Sequence, residues 1–222
     1  MNPEKPASEI IGASHEFHDE AYSSDWAKRF VPTPARRRLF ETVYGALIAS
    51  IAPASRIVEL GIGPGYFAEY LLGEMPRVYY YGIDFSAPML ELARARLANY
   101  SARMELIQAD LVMDEWWASL PLPIDGIVST WALHDLGSEL MTAKVYSACR
   151  SILRSGGIFL NGDFIKPDHA KHEYEPGRFE IGRHIELLKQ VGFSDAGCLI
   201  TLEHEIENPT SAQNYACFRA VA

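Results

Sequence analysis

The stretch Val58-Glu59-Leu60-Gly61-Ile62-Gly63-Pro64-Gly65 decides how this chain is read. The run Ser55-Arg56-Ile57-Val58-Glu59-Leu60 predicts a strand; it enters three alternating glycines, and a helical pattern then runs through Leu72. Glycine allows the sharp bend from strand to helix and leaves no Cβ to block a ligand that approaches the main chain. Dinucleotide sites use a turn of this kind too, but two features disfavour an NAD-dependent oxidoreductase. A GxGxxG turn takes a small residue at the sixth place, where this chain has Tyr66. Glu59, two residues before Gly61, sets a carboxylate where it attracts a cationic ligand group and repels a phosphate.

Outward from this turn, short apolar runs alternate with amphipathic stretches. Strands are expected at Val78–Ile83, Met104–Ile107, Ile124–Ser129, Ile158–Asn161, Cys198–Leu202 and Tyr215–Arg219. Helices are expected after Ser86, which caps a run carrying Met89, Leu90, Ala93 and Leu97, and over residues 137–153 and 179–191. Residues 17–52 read as two helices broken at Pro32 and Pro34, because proline cannot sit inside a helix. The pattern predicts an α/β fold: a Rossmann-like, seven-stranded, mostly parallel sheet with helices on both faces and an antiparallel last strand. Residues 1–52 are expected to form an N-terminal arm and helical lid, and residues 53–222 one structural unit.

Composition narrows the function. The 222 residues are 48% hydrophobic and 22% charged, with a formal net charge of −9. That charge repels a phosphate backbone, so no nucleic-acid partner is expected. No apolar run reaches the roughly 18 residues of a membrane helix. The polar start MNPEKPASEIIGASHEF has no apolar core of a secretory signal, so no membrane partner is expected and cytoplasmic residence is. Cys149, Cys198 and Cys217 lie far apart, which speaks against a disulfide scaffold or a structural zinc site.

With these residues in view, the chain resembles the class I S-adenosylmethionine-dependent methyltransferases. Glu59-Leu60-Gly61-Ile62-Gly63-Pro64-Gly65 is similar to that family's first motif, [D/E]xGxGxG. Tyr81-Gly82-Ile83-Asp84-Phe85-Ser86 is similar to the end of its second strand, and Asp84 lies 19 residues beyond Gly65, the spacing of a ribose-binding acid. Gln108-Ala109-Asp110-Leu111 is similar to the adenine-binding stretch, and Ile127–His134 to the fourth motif beside the methyl donor. Leu153–Phe159 and Gln190-Val191-Gly192-Phe193 are similar to the approaches to strands five and six. The resemblance covers roughly residues 53–222.

The resemblance implies transfer of a methyl group from S-adenosylmethionine, leaving S-adenosylhomocysteine, to an oxygen or nitrogen of a small-molecule acceptor. Glu59, Gly61, Gly63 and Gly65 would hold the amino-acid part of the cofactor, Asp84 the ribose, and Asp110 with Leu111 the adenine. Phe85, Thr130 and Trp131 would complete the cofactor site, with Phe85 and Trp131 equally readable as core packing. His134, just after the fourth strand, is the candidate general base; a structural contact with Asp135 is the other reading. Tyr22, Trp26, His134, His169 and Tyr174 are the candidate acceptor contacts. His169 and His172 lack companion ligands, so no metal is expected. The run Arg36-Arg37-Arg38 reads as a solvated face or as a grip on an acceptor carboxylate or phosphate. A monomer or homodimer is expected. A carboxy-S-adenosylmethionine synthase-like enzyme and a non-catalytic cofactor-binding module stand as alternatives.

Overall fold

The apolar runs become seven strands of one sheet, in the order β3-β2-β1-β4-β5-β7-β6. The computed structural model describes residues 15–222, so most of the expected N-terminal arm lies outside the described residues. The strands are β1 (Arg56–Leu60), β2 (Tyr79–Asp84), β3 (Met104–Gln108), β4 (Ile124–Thr130), β5 (Leu153–Phe164), β6 (Ser194–Leu202) and β7 (Tyr215–Val221). Strands β1 to β5 pair in parallel. Strand β7 inserts antiparallel between β5 and β6, as the short connection between the last two strands requires.

Among the described residues, six helices complete the layers: α1 (Glu20–Arg29), α2 (Pro34–Ile48), α3 (Tyr66–Glu74), α4 (Ala87–Arg96), α5 (Glu139–Ile152) and α6 (Ile181–Gln190). Thr33 caps α2, whose first residue is Pro34, where the missing N–H is harmless. Helices α2, α3 and α4 bury Leu39, Val43, Leu47, Leu71 and Leu90 against one face of the sheet. Helices α5 and α6 bury Val145, Tyr146, Cys149, Leu187 and Leu188 against the other. Each stripe repeats at three- and four-residue spacing, which brings one side of a helix to the core. The two N-terminal helices therefore differ in position. Helix α2 lies in a layer of the sandwich: a Cβ on Gly162 of β5 would come within 2.7 Å of Leu39. Helix α1 and the 3-10 turn Glu16–His18 lie over the carboxyl edge of β2 and α4, where the Phe17 carbonyl accepts from Ser86 Oγ.

Two boundaries differ from the periodicity. Helix α5 ends at Ile152, and β5 begins at once with Leu153 rather than after Gly157. Strand β5 also continues past Asn161 to Phe164, because β7 supplies a partner for every residue from Ile158 to Phe164. Among the described residues, no helix is long and apolar enough to cross a membrane.

Candidate active site

The sheet reverses its order between β1 and β4, and the crevice outside the strands' carboxyl ends at such a point is where open α/β sheets bind ligands. Here a cavity of about 610 Å³ opens, floored by the glycine turn and roofed by α1. Its lining includes Glu59, Gly61, Gly63, Asp84, Phe85, Asp110, Leu111, Thr130 and Trp131, together with Tyr22, Trp26 and His134. Gly65, His169 and Tyr174 are not part of it. Gly65 instead takes φ +80° as the cap of α3 and packs on Ala93 and Leu97 of α4. His169 is exposed in a left-handed turn at φ +63°. The loop after β5 reaches the cavity with Glu175 and Arg178 instead of Tyr174.

The glycine turn is held by its neighbours. Gly61 takes φ +68°, and a Cβ there would come within 2.3 Å of the Ala132 Cβ. Gly63 takes φ +51° with open space before it, so a ligand can lie directly against its main chain. The Gly63 N–H donates to Asp84 Oδ2 at 2.8 Å, and the Ser86 N–H donates to Asp84 Oδ1 at 2.9 Å. Burial nevertheless pushes the Asp84 carboxyl up to about 6.

Glu59 is 1% exposed, and its Oε2 accepts from the Tyr80 hydroxyl at 2.7 Å. Burial pushes its carboxyl up to about 8, against the lowering effect of that hydrogen bond. A buried acid in this state gains from a cation that enters beside it. Asp110 closes its own turn, Oδ1 accepting from the N–H groups of Val112 and Met113 at 2.8 and 3.0 Å. Its Oδ2 is buried without a partner among the described residues, an acceptor matched to a ligand N–H.

At the other end of the cavity stands His134, on the turn after β4. Its Nδ1 lies 2.7 Å from Asp163 Oδ1, its backbone N–H donates to Asp163 Oδ2 at 2.9 Å, and its Nε2 is 3.3 Å from Asp135 Oδ1. Burial opposes the charged imidazole, but the Asp163 carboxylate, with Asp135 behind it, outweighs burial and holds the pKa above its usual value. Gly177 packs so closely on this turn that a Cβ would fall 1.7 Å from the His134 carbonyl oxygen. A row of rings runs from His134: Phe164 at 5.0 Å and Trp131 line the cavity, and the buried Tyr215 packs behind them, 6.1 Å from Phe164 and 5.4 Å from Trp131. Trp131 takes φ +49°, a left-handed conformation that its N–H, bonded to the Gly162 carbonyl at 2.8 Å, helps to hold.

Sequence spacing alone ends β5 at Asn161 and so passes over Asp163, the residue that orients His134. The available sign was an acid in an otherwise apolar run, Phe159-Leu160-Asn161-Gly162-Asp163-Phe164. Phe30, Phe164 and Arg178 belong to the cavity as well, and nothing in their sequence neighbourhood marks them.

Residues 57–157 match the family described as Methyltransferase domain. An uncharacterized methyltransferase of Anoxybacillus flavithermus is 29% identical over 161 residues, covering 70% of this chain and 64% of that protein. The tRNA N(3)-methylcytidine methyltransferase Mettl2 of Drosophila melanogaster is 30% identical over 165 residues, covering 73% of this chain and 49% of that protein. The chain thus spans about half to two thirds of the length of these curated relatives. Among solved structures, the CurJ carbon methyltransferase superposes with a TM-score of 0.69 at 16% identity, over 96% of this chain and 60% of that one, a likeness of fold. Residues 57–157 thus carry a methyltransferase domain, and likeness of sequence and of fold together support a class I S-adenosylmethionine-dependent methyltransferase.

Proposed function

We propose that this chain transfers a methyl group from S-adenosylmethionine to an oxygen or nitrogen of a small-molecule acceptor. The residues at the cavity fit the cofactor: the buried Glu59 suits its ammonium, the open face of Gly63 its main-chain approach, Asp84 its ribose, and the unpartnered Asp110 Oδ2 its adenine amine. When bound, the cofactor supplies a methyl group on a sulfonium, already an activated leaving group.

The chain's own part is placement, exclusion of water and one proton. Trp26, Phe30, Phe164 and Trp131 give the cavity apolar walls. His134 accepts the acceptor's proton at Nε2, since Nδ1 is engaged by Asp163. That dyad, set in the wall of the same cavity as the Asp110 acceptor, is the observation that carries this reading. The acceptor's small size rests on the roof made by α1 and on the acidic lining, in which Glu16, Asp84, Asp110, Asp135 and Glu175 outnumber the guanidinium groups of Arg36 and Arg178. A polyanion would be repelled there. The name of the Drosophila relative concerns tRNA; this chain's net charge of −9 favours a different acceptor.

The test is titration with S-adenosylhomocysteine, followed by an acceptor screen read by mass spectrometry. Micromolar binding and a product heavier by one methyl group support the reading. A product that keeps the cofactor's sulfonium and gains a carboxyl group points to the carboxy-S-adenosylmethionine alternative. Binding without turnover across the screen points to the non-catalytic one.

A further inference from the structure

Arg36 lies in the first turn of α2, its N–H bonded to the Thr33 hydroxyl at 3.3 Å, so that turn fixes where the side chain starts. Its guanidinium lies over the Phe30 ring, 3.6 Å from the centroid, and 5.8 Å from the Trp131 ring. Phe30 in turn stacks on Trp26 at 4.2 Å and 14°. The group is thus half-buried on an aromatic shelf that faces the cavity. None of the ion pairs among the described residues includes it. Glu203 and Tyr215 act on it only at longer range, and burial pulls its pKa below the usual value. The other guanidinium of the lining, Arg178, pairs with Glu175 and donates to the Ser211 carbonyl. Nearby, Trp131 Nε1 is buried without a partner among the described residues, a second donor that lacks an acceptor. Arg37 and Arg38, next in sequence, are exposed.

A partly desolvated cation without a counter-ion is unfavourable unless a ligand completes it. The planar fork of a guanidinium matches a carboxylate with two parallel hydrogen bonds. A phosphate dianion would face Glu16, Asp84, Asp110, Asp135 and Glu175 in the same lining, so a monoanion is the better fit. We propose that Arg36 is a carboxylate receptor of this cavity. The proposal rests on the transferase reading and adds to it the chemical group that the site selects. That carboxylate has two sources: the amino-acid end of the cofactor, or an acceptor that carries an acid group.

The experiment compares the wild-type chain with Arg36→Gln and Arg36→Lys, using Arg37→Gln as a control for charge alone. Two pairs of probes are titrated: S-adenosylhomocysteine against 5′-methylthioadenosine, and 4-hydroxybenzoate against 4-hydroxybenzamide, the second pair with and without S-adenosylhomocysteine. Arg36→Gln is expected to weaken a carboxylate-bearing probe by about tenfold or more while its uncharged counterpart changes less than about twofold. Arg36→Lys should fall between, and Arg37→Gln should match the wild type. A loss confined to S-adenosylhomocysteine assigns the carboxylate to the cofactor; a loss confined to 4-hydroxybenzoate assigns it to the acceptor. Equal losses for charged and uncharged probes, or no loss, overturn the proposal. A wild type that binds neither nucleoside overturns the transferase reading, and the benzoate pair alone then decides on Arg36. Failure of 4-hydroxybenzoate to bind in that case overturns the receptor as well.

Discussion

One carboxylate, that of Asp163, binds His134 twice, at its backbone N–H and at Nδ1, at 2.9 and 2.7 Å. Asp163 lies near the carboxyl end of β5 and His134 on the turn that follows the adjacent parallel strand β4, so the sheet brings the two elements side by side. The arrangement favours the tautomer with its proton on Nδ1, so that Nε2, 3.3 Å from Asp135 Oδ1, carries the lone pair. Asp163→Asn should therefore lower turnover by about a hundredfold at neutral pH, with little change in S-adenosylhomocysteine affinity. In the wild type, turnover should rise with pH through a midpoint above 6.5, since the base proposed at His134 must be neutral to act and its pKa is raised. In Asp163→Asn that midpoint should move down. A turnover–pH curve unchanged by the substitution removes His134 from the chemistry.

Glu59 predicts a stability that depends on pH. Its folded carboxyl stands at about 8 against an ordinary 4.5, so the folded state holds this proton more tightly than the unfolded chain. The sign follows from linkage: its contribution is whole below pH 4.5 and is lost as pH rises through 8. Glu59→Gln should flatten the fall in melting temperature across that window and raise stability at pH 8. It should also weaken S-adenosylhomocysteine by about tenfold or more, because the ammonium loses its partner. At pH 7, cofactor binding to the wild type should release a proton, visible as a dependence of the calorimetric heat on the buffer's ionisation enthalpy. The variant should show a smaller dependence, since only Asp84, pushed up to about 6, remains near its titration.

The glycines of the turn should separate under substitution. Gly61→Ala meets both a left-handed φ and the Ala132 Cβ at 2.3 Å, whereas Gly63→Ala meets only the φ. The conformational term is about 1–2 kcal/mol in each. Gly61→Ala should lower the melting temperature at least twice as far as Gly63→Ala. Gly63→Ala should lose cofactor affinity with only a modest loss of stability, because its Cβ fills the ligand's space. Equal melting temperatures for the two variants would contradict the contact with Ala132.

Asp110 should read the base. Its free Oδ2 is an acceptor suited to an amine, while Oδ1 is engaged in the turn. The inosine counterpart of S-adenosylhomocysteine, with a carbonyl in place of the amine, should bind about tenfold more weakly or worse. Asp110→Asn, which presents a donor, should narrow that gap. A gap that survives the substitution would assign base recognition to other groups.

Much of the fold was legible because it depends on local chemistry. The three glycines after β1, the cap at Ser86, the prolines before α2 and the acids at strand ends are each read from a few neighbouring residues. A parallel sheet follows from their alternation, since parallel strands need helical crossovers between them. The position of β7 was legible in part, as an antiparallel partner of β6, but its insertion beside β5 is a matter of long-range pairing.

The site divides along the same line. Glu59, Asp84 and Asp110 stand out in the chain because each is an acid at the end of an apolar run, at a spacing that the crossovers impose. What Asp163 and Arg178 reach is not legible in the same way, because His134 and Ser211 lie 29 and 33 residues away from them in sequence. The likeness among Arg36, Arg37 and Arg38 in the sequence is likewise resolved only in space. Successive residues of a helix point in different directions, so α2 turns Arg36 toward the cavity and leaves the next two in solvent. Sequence determined the order of the elements and the acids that end them, because those rest on backbone geometry and period. Tertiary structure decided which charges are buried and which face one another, because desolvation and ion pairing depend on neighbours that only the folded chain supplies.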